Sequence, residues 1–266
     1  MWRGYHFFVP ELPDVEGFRR VLAEHTGEQI TAVRVWDAGV LRGTTARALD
    51  NALCGRRFEE PRRRGKWLLA PVGGPVLIFH FGMTGSLSWH TSDEPPHRHD
   101  RVAWSLADGE LRFHDMRKLH GIRLAGDEEE AERIVGDVGP DALDVSRECF
   151  GELLSGRRGY LKPALIDQSL LAGLGNLLAD EICWQARISP LRALPDLSEA
   201  DLMALYRAMQ EILREAVKAE RIPRRDTWLS GARDEQDEPC PRCGTTLSRC
   251  RVGGRTTVWC RACQPA

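Results

Sequence analysis

Between Ile30 and about Leu124, apolar and polar residues alternate with a period close to two, in short runs such as "ITAVRVW", "KWLLAPV", "PVLIFHFG" and "VAWSLADGELRF". This spacing predicts strands that bury one face, and Asp108-Gly109 between two alternating runs predicts a hairpin. Ahead of this region, "PELPDVEGFRRVL" reads as a helix. Pro13 suits a first helical position, Asp14 and Glu16 lie in the first turn, and Val15, Phe18 and Leu22 follow at helical spacing until Gly27. After the acidic run "DEEEAE" (127–132) the period lengthens to that of helices, in "RECFGELLSG", "LKPALIDQSLL", "NLLADEICWQA" and "SEADLMALYRAMQEILREAVKAE". Ser198 and Asp201 form a capping-box-like start to the last of these. A polar stretch over 221–239 leads to a cysteine-rich end. The pattern predicts an α+β chain: leading helix, β domain, helical domain, linker, ribbon.

Composition adds little to that outline. A length of 266 residues accommodates two domains and a small module, and the net charge of −2 is uninformative. The distribution of charge says more. "RRRGK" (62–66), Arg157-Arg158 and a tail from Cys240 with five Arg and no acid contrast with the acidic runs at 127–132 and 234–238. Such segregation can build a face for a polyanion. No apolar run is long enough to span a membrane, and the expectation is a cytosolic protein.

Three motifs carry chemistry. "CPRC" (240–243) and "CRAC" (260–263), separated by sixteen residues, have the spacing of a four-thiolate zinc site, with "VGGR" as a turn between. Four thiolates leave no open coordination position, so the ion is expected to be structural; Cys250 is a spare thiol, with replacement of one ligand as the alternative. Arg249, Arg251 and Arg255 on the same hairpin point to phosphate contact. The second motif, "LAGLGNLLADE" (171–181), places two glycines and Asn176 at a helix start, where backbone N–H groups can receive a phosphate; a purely structural loop is the alternative. The third, "HFGMTGS" (80–86), sets Met83 at a turn, exposed to wedge into a partner or folded back onto its own domain.

Taken in order, "PELPDVE", "RRRGKWLL", "HFGMTGSL", "RHDRV", "FHDMRKL", "LKPALIDQSLLAGLGN" and the terminal four-cysteine ribbon resemble the formamidopyrimidine-DNA glycosylase and endonuclease VIII family, specifically its formamidopyrimidine branch. The resemblance runs from Pro10 to Cys263. It implies an N-terminal β-sandwich domain with a leading helix (10–125), a helix-two-turn-helix domain with linker (126–239) and a zinc ribbon (240–266). It also implies a monomeric bacterial base-excision enzyme that flips a damaged base out of double-stranded DNA, excises it and nicks the strand by β,δ-elimination. By this similarity Pro10 is the nucleophile, Glu11 the general acid and base, Lys66 the lysine assisting β-elimination, and Arg255 the arginine tied to the δ step. His99, Arg117, Arg157, Lys162 and Asn176 fall on DNA-binding positions, and Met83, Arg117 and Leu119 on wedge positions. Cys240, Cys243, Cys260 and Cys263 hold one structural zinc.

Three departures from the family pattern stand out. Asp115-Met116-Arg117-Lys118-Leu119 replaces Asp-Pro-Arg-Arg-Phe, removing a flat stacking face. Only nineteen residues separate Glu220 from Cys240, too few for the loop by which such enzymes cap 8-oxoguanine, so ring-opened formamidopyrimidines or oxidised pyrimidines are the expected substrates. Finally, Val9 acylates Pro10, and an amide nitrogen has no nucleophilic lone pair. Residues 1–9 are therefore expected to be a leader, with Val9 a misread start. The alternative is a non-catalytic nucleic-acid-binding zinc-ribbon protein that has lost its lyase.

Overall fold

The computed structural model describes residues 9–265; residues 1–8 of the expected leader lie outside the described residues. The chain forms two compact units, one comprising Asp14–Gly136 with Pro10, the other Glu11–Pro13 with the chain from Asp137 onward.

In the first unit, two antiparallel four-stranded sheets enclose one core. One sheet has the order β1 (Ala32–Val35), β6 (Asp100–Ser105), β7 (Gly109–His114), β5 (Ser86–Thr91); the other has β2 (Arg62–Arg64), β3 (Trp67–Pro71), β4 (Val76–His80), β8 (Gly121–Ala125). Leu68, Ala70, Leu77 and Phe79 from one sheet and Leu87, Val102, Trp104, Leu111 and Phe113 from the other share a cluster with Val15 and Leu22 of the leading helix, α1 (Leu12–Ala23). The alternation in the sequence is thus a β-sandwich with one buried face per sheet. The hairpin expected at Asp108-Gly109 is formed, with Ser105 opposite Glu110. A Cβ at Gly109 would lie 2.4 Å from the His90 carbonyl oxygen, so the close approach of β5 requires glycine there.

Two helices lie outside the elements that the sequence pattern predicts. α2 (Ala46–Leu53) interrupts the strands, capped by Thr45, which accepts from the Ala48 N–H. α3 (Glu128–Val135) is the acidic run itself: Asp127 caps it, Glu128, Glu129 and Glu130 sit at its positive end, and Gly136 at φ 73° ends it. Ala131 and Val135 are buried, and Glu128 and Glu132 pair with Arg62 and Arg64 of β2. The first compact unit accordingly runs to Gly136, beyond the boundary expected at 125.

The second unit contains α4 (Arg147–Leu154), α5 (Leu161–Ile166), α6 (Asn176–Gln185), α7 (Glu199–Lys218), a short α8 (Leu229–Ala232), and the hairpin β9 (Ser248–Val252) and β10 (Arg255–Trp259). The capping box at Ser198 and Asp201 is complete. α6 is buried along most of its length, with Leu178, Ala179, Ile182 and Cys183 in the helical core and Trp184 in a cluster with Cys240, Val258 and Cys260. One helix therefore seats both the helical core and the ribbon. Gly253 and Gly254, at φ 55° and 75°, form the two-residue turn of the hairpin, a conformation that favours glycine.

Candidate active site

The Glu11 carboxylate sits on the N-terminus of α6. Gly175 and Leu178 donate backbone N–H bonds to Oε2 at 2.8 and 3.1 Å, and Leu177 donates to Oε1 at 2.8 Å. The loop before the helix is braced by Gln168, whose side chain accepts from Gly173 N–H and donates to the Ile166 and Leu174 carbonyls, while Leu12 N–H bonds the Gly173 carbonyl. The N–H cradle read from "LAGLGN" is real, but its anion is this chain's own carboxylate and not a phosphate. Three of the donors that α6 cannot satisfy internally, the N–H groups of Gly175, Leu177 and Leu178, are met, and these bonds fix the orientation of Glu11. Glu11 is fully buried, and Pro10, one residue earlier, carries an amide nitrogen bonded to Val9. Asn176, at the first position of α6, is half-buried, and its Oδ1 is buried with no hydrogen-bond partner among the described residues.

In the β-sandwich, Gly65-Lys66 is the two-residue turn of the β2–β3 hairpin, since Arg64 pairs with Trp67. Lys66 is half-buried at that turn. Next to it His80 is held neutral: burial, with His120, Lys66 and Arg123 nearby, pushes its pKa down to about 3. Its Nδ1 accepts the Gly82 N–H, and its ring packs on His120 with centroids 4.1 Å apart. Met83 follows on the same turn but is half-buried, not fully exposed as its place at a tight turn predicts. The Arg117 guanidinium reaches its Sδ at 2.9 Å, and Thr84 and Asp115 both accept the Arg117 N–H at 3.0 Å. The Met83 and Arg117 turns are thereby locked together, with Leu119, 49% exposed, projecting beside them. Lys118 is left-handed at φ 52° and its ammonium pairs with Asp37 at 2.9 Å. His99 is half-buried and accepts from Arg101; desolvation and the Arg98 and Arg101 guanidinium groups hold it below the usual imidazole range.

In the second unit one expected DNA contact is overturned. Lys162 is fully buried, its ammonium 2.6 Å from Asp180 Oδ1 and bonded to the Thr256 carbonyl and the Thr257 hydroxyl. Asp180 also receives Arg233 at 2.6 Å and the Val258 N–H at 3.2 Å. A long cationic side chain near a glycine loop reads as a phosphate contact from sequence, but this one ties α5 and α6 to the ribbon through a buried carboxylate. Arg249 is likewise occupied, donating to the Arg233 and Glu235 carbonyls. Arg157, in the loop after α4, and Arg255, at the start of β10, are exposed. The sequence reading also missed Glu181, a buried carboxylate that accepts the Ser230 N–H and caps α8. The adjacent Asp-Glu pair on an otherwise apolar helix was the available signal.

The four ribbon cysteines fit a single zinc. Their sulfur atoms all lie within 4.8 Å of one another, with Cys243–Cys260 at 3.5 Å and Cys240–Cys263 at 4.0 Å. A tetrahedral zinc with Zn–S near 2.3 Å needs sulfurs about 3.8 Å apart. Trp184 donates its indole N–H to Cys240 Sγ, and Arg242 stacks on Trp184, so the metal site is braced by α6. Cys250 lies on β9 opposite Thr257, outside the cluster.

The class expected from the sequence, a DNA glycosylase with a helix-two-turn-helix domain, has a β-sandwich, a helical domain and a four-thiolate ribbon in this order, and each is found in the chain. Comparison with known proteins agrees along the chain. Residues 9–122 match the formamidopyrimidine-DNA glycosylase N-terminal domain, 138–226 its H2TH domain, and 237–266 the zinc finger found in FPG and IleRS. The formamidopyrimidine-DNA glycosylase of Desulfitobacterium hafniense (strain DSM 10664 / DCB-2) is 35% identical over 272 residues, covering 96% of this chain and all of the relative. That of Bacillus cereus (strain ATCC 10987 / NRS 248) is 35% identical over 275 residues, covering 97% and 99%. Structures of Lactococcus lactis Fpg with abasic-site DNA and with oxidised-pyrimidine DNA are 30% identical, with TM-scores of 0.86 and 0.87, each covering 97% of this chain and all of that one. The chain belongs to the formamidopyrimidine-DNA glycosylase family of base-excision-repair enzymes.

Proposed function

We propose that the chain excises an oxidised base from duplex DNA through an iminium on Pro10 and then nicks the strand by β,δ-elimination. The observation that carries this reading is the Glu11 carboxylate, held by three backbone N–H groups one residue after Pro10. A secondary amine attacks C1′ as the C1′–base bond breaks and the base departs with a proton; the C1′–O4′ bond then opens with a proton delivered to O4′, and the resulting iminium draws electrons from the sugar. Glu11 is the group that moves protons in these steps. The amine must be free, so the form that carries this chemistry is one in which Pro10 is the terminal residue. Lys66 at its hairpin turn assists β-elimination and Arg255 on the ribbon the δ step. His99, Arg117, Arg157 and Asn176 contact phosphates, and Met83 and Leu119 fill the space left by the extruded nucleotide. The protein acts as a monomer in the bacterial cytosol. The structural zinc holds the ribbon hairpin in register and takes no part in the chemistry.

Substrate choice follows from the linker. It is anchored twice, at Ser230 on Glu181 and at Arg233 on Asp180, which divides it into two short spans, 221–229 and 234–239. Two short spans give little length for a loop over 8-oxoguanine, so formamidopyrimidine or oxidised pyrimidine lesions are the better substrates. The second reading, a binding protein without lyase chemistry, is favoured by one observation, the acylated nitrogen of Pro10.

Single-lesion duplexes distinguish these readings. Protein beginning at Pro10 should release formamidopyrimidine or oxidised pyrimidine faster than 8-oxoguanine opposite cytosine, and Glu11→Gln should lose at least about 100-fold in excision while still binding the duplex. Release of no base by a protein that binds every duplex would establish the binding-only reading, and 8-oxoguanine as best substrate would refute the linker argument.

A further inference from the structure

We propose that His97, Asp100 and His114 form a second metal site, in the β-sandwich, for a divalent transition ion of the zinc type. One ligand atom from each lies within 4.8 Å of the others. Asp100 and His114 are directly opposed across the β6–β7 ladder, so backbone pairing sets them face to face. His97 comes from the loop before β6, drawn in by its N–H bond to Asp100 Oδ2 at 2.8 Å. His114 Nδ1 is 3.1 Å from Asp100 Oδ1, close to the ~3.3 Å between two donor atoms on one tetrahedral zinc. The His97 and His114 ring centroids are 5.1 Å apart, and two imidazoles on one such ion place their centroids about 5 Å apart.

The electrostatics permit a cation. Arg112 approaches Asp100 Oδ2 at 3.5 Å, but its guanidinium is shared with Glu110 at 2.5 Å and with the Glu94 and Pro95 carbonyls. Glu110 also pairs with Arg34 at 3.8 Å; on Asp100, Arg112 approaches Oδ2, and Oδ1 faces His114. His97 Nδ1 accepts the His99 N–H at 3.2 Å, which requires the neutral, lone-pair-bearing form that a metal also needs. An ion bound at that nitrogen displaces this long bond. His99 lies outside the cluster of three, with its Nδ1 accepting from Arg101 at 3.0 Å. Two imidazoles and one carboxylate select zinc, nickel or cobalt over magnesium or calcium, and three protein ligands leave a fourth position to water.

The test uses untagged protein whose ribbon already holds zinc. After equilibrium dialysis against low-micromolar Zn2+, wild type should retain two zinc ions per chain and His97→Ala one, with affinity for the second ion reduced at least tenfold. His97 is exposed, so this variant should fold; His114→Gln provides an independent check. Co2+ added to the zinc-loaded protein should give d–d bands without thiolate charge transfer, and both variants should lose them. One zinc in wild type, or a second ion bound equally by both variants, would overturn the proposal.

Discussion

Gly175 lacks a side chain where the Glu11 carboxylate lies. A Cβ at Gly175 would stand 2.3 Å from Glu11 Cδ and 2.4 Å from Oε1, yet its φ of −126° is open to any residue. The need for glycine is steric, and the group that imposes it is a candidate catalytic carboxylate. Gly175→Ala should therefore displace Glu11 without straining the backbone. Base excision should fall at least about 100-fold, with melting temperature changed by only a few degrees. Full activity in a folded Gly175→Ala protein would show that the position of Glu11 is not critical.

The ribbon depends on its metal. Cys260→Ser, or removal of zinc by a chelator, should unfold the β9–β10 hairpin and weaken DNA binding at least tenfold, while the β-sandwich stays folded. Near-UV circular dichroism and DNA titration on the same sample check both halves. Unchanged DNA affinity in zinc-free protein would sink the assignment of Arg255 to DNA.

Lys162 and Arg157 should separate under salt. Lys162→Met leaves Asp180 buried with Arg233 alone, a loss of about 3 kcal/mol at the low end for breaking a buried pair. The salt dependence of DNA affinity should not change, because no phosphate contact is lost. Arg157→Ala should leave stability within about 0.5 kcal/mol and reduce the salt slope by about 1. The reverse pattern would restore Lys162 to the DNA surface.

The strands were legible because each sheet buries one face, which imprints period two on the sequence. α2 and α3 were not, since α2 is short and flanked by strands, and the acidic first turn of α3 reads as surface or boundary until its dipole is considered. The zinc site could be read from spacing alone. The Glu11 cradle could be half read: the glycine loop predicts an anion at the α6 N-terminus, but which anion depends on a contact across more than 160 residues. Lys162 failed for the same reason, its partner Asp180 being invisible to local pattern.

The proposed chemistry runs through a free amine on Pro10 beside Glu11. Borohydride trapping on abasic-site duplex tests it most directly, using protein that begins at Pro10, the same protein with Pro10→Gly, and the full chain of 266 residues. The form beginning at Pro10 should yield a covalent protein–DNA adduct, and peptide mapping should locate the DNA on Pro10. Pro10→Gly, whose terminal amine is primary and lacks the proline ring, should trap far less, and the intact full chain should trap none. An adduct of the intact full chain, or one mapped to a lysine in the form beginning at Pro10, would contradict the account.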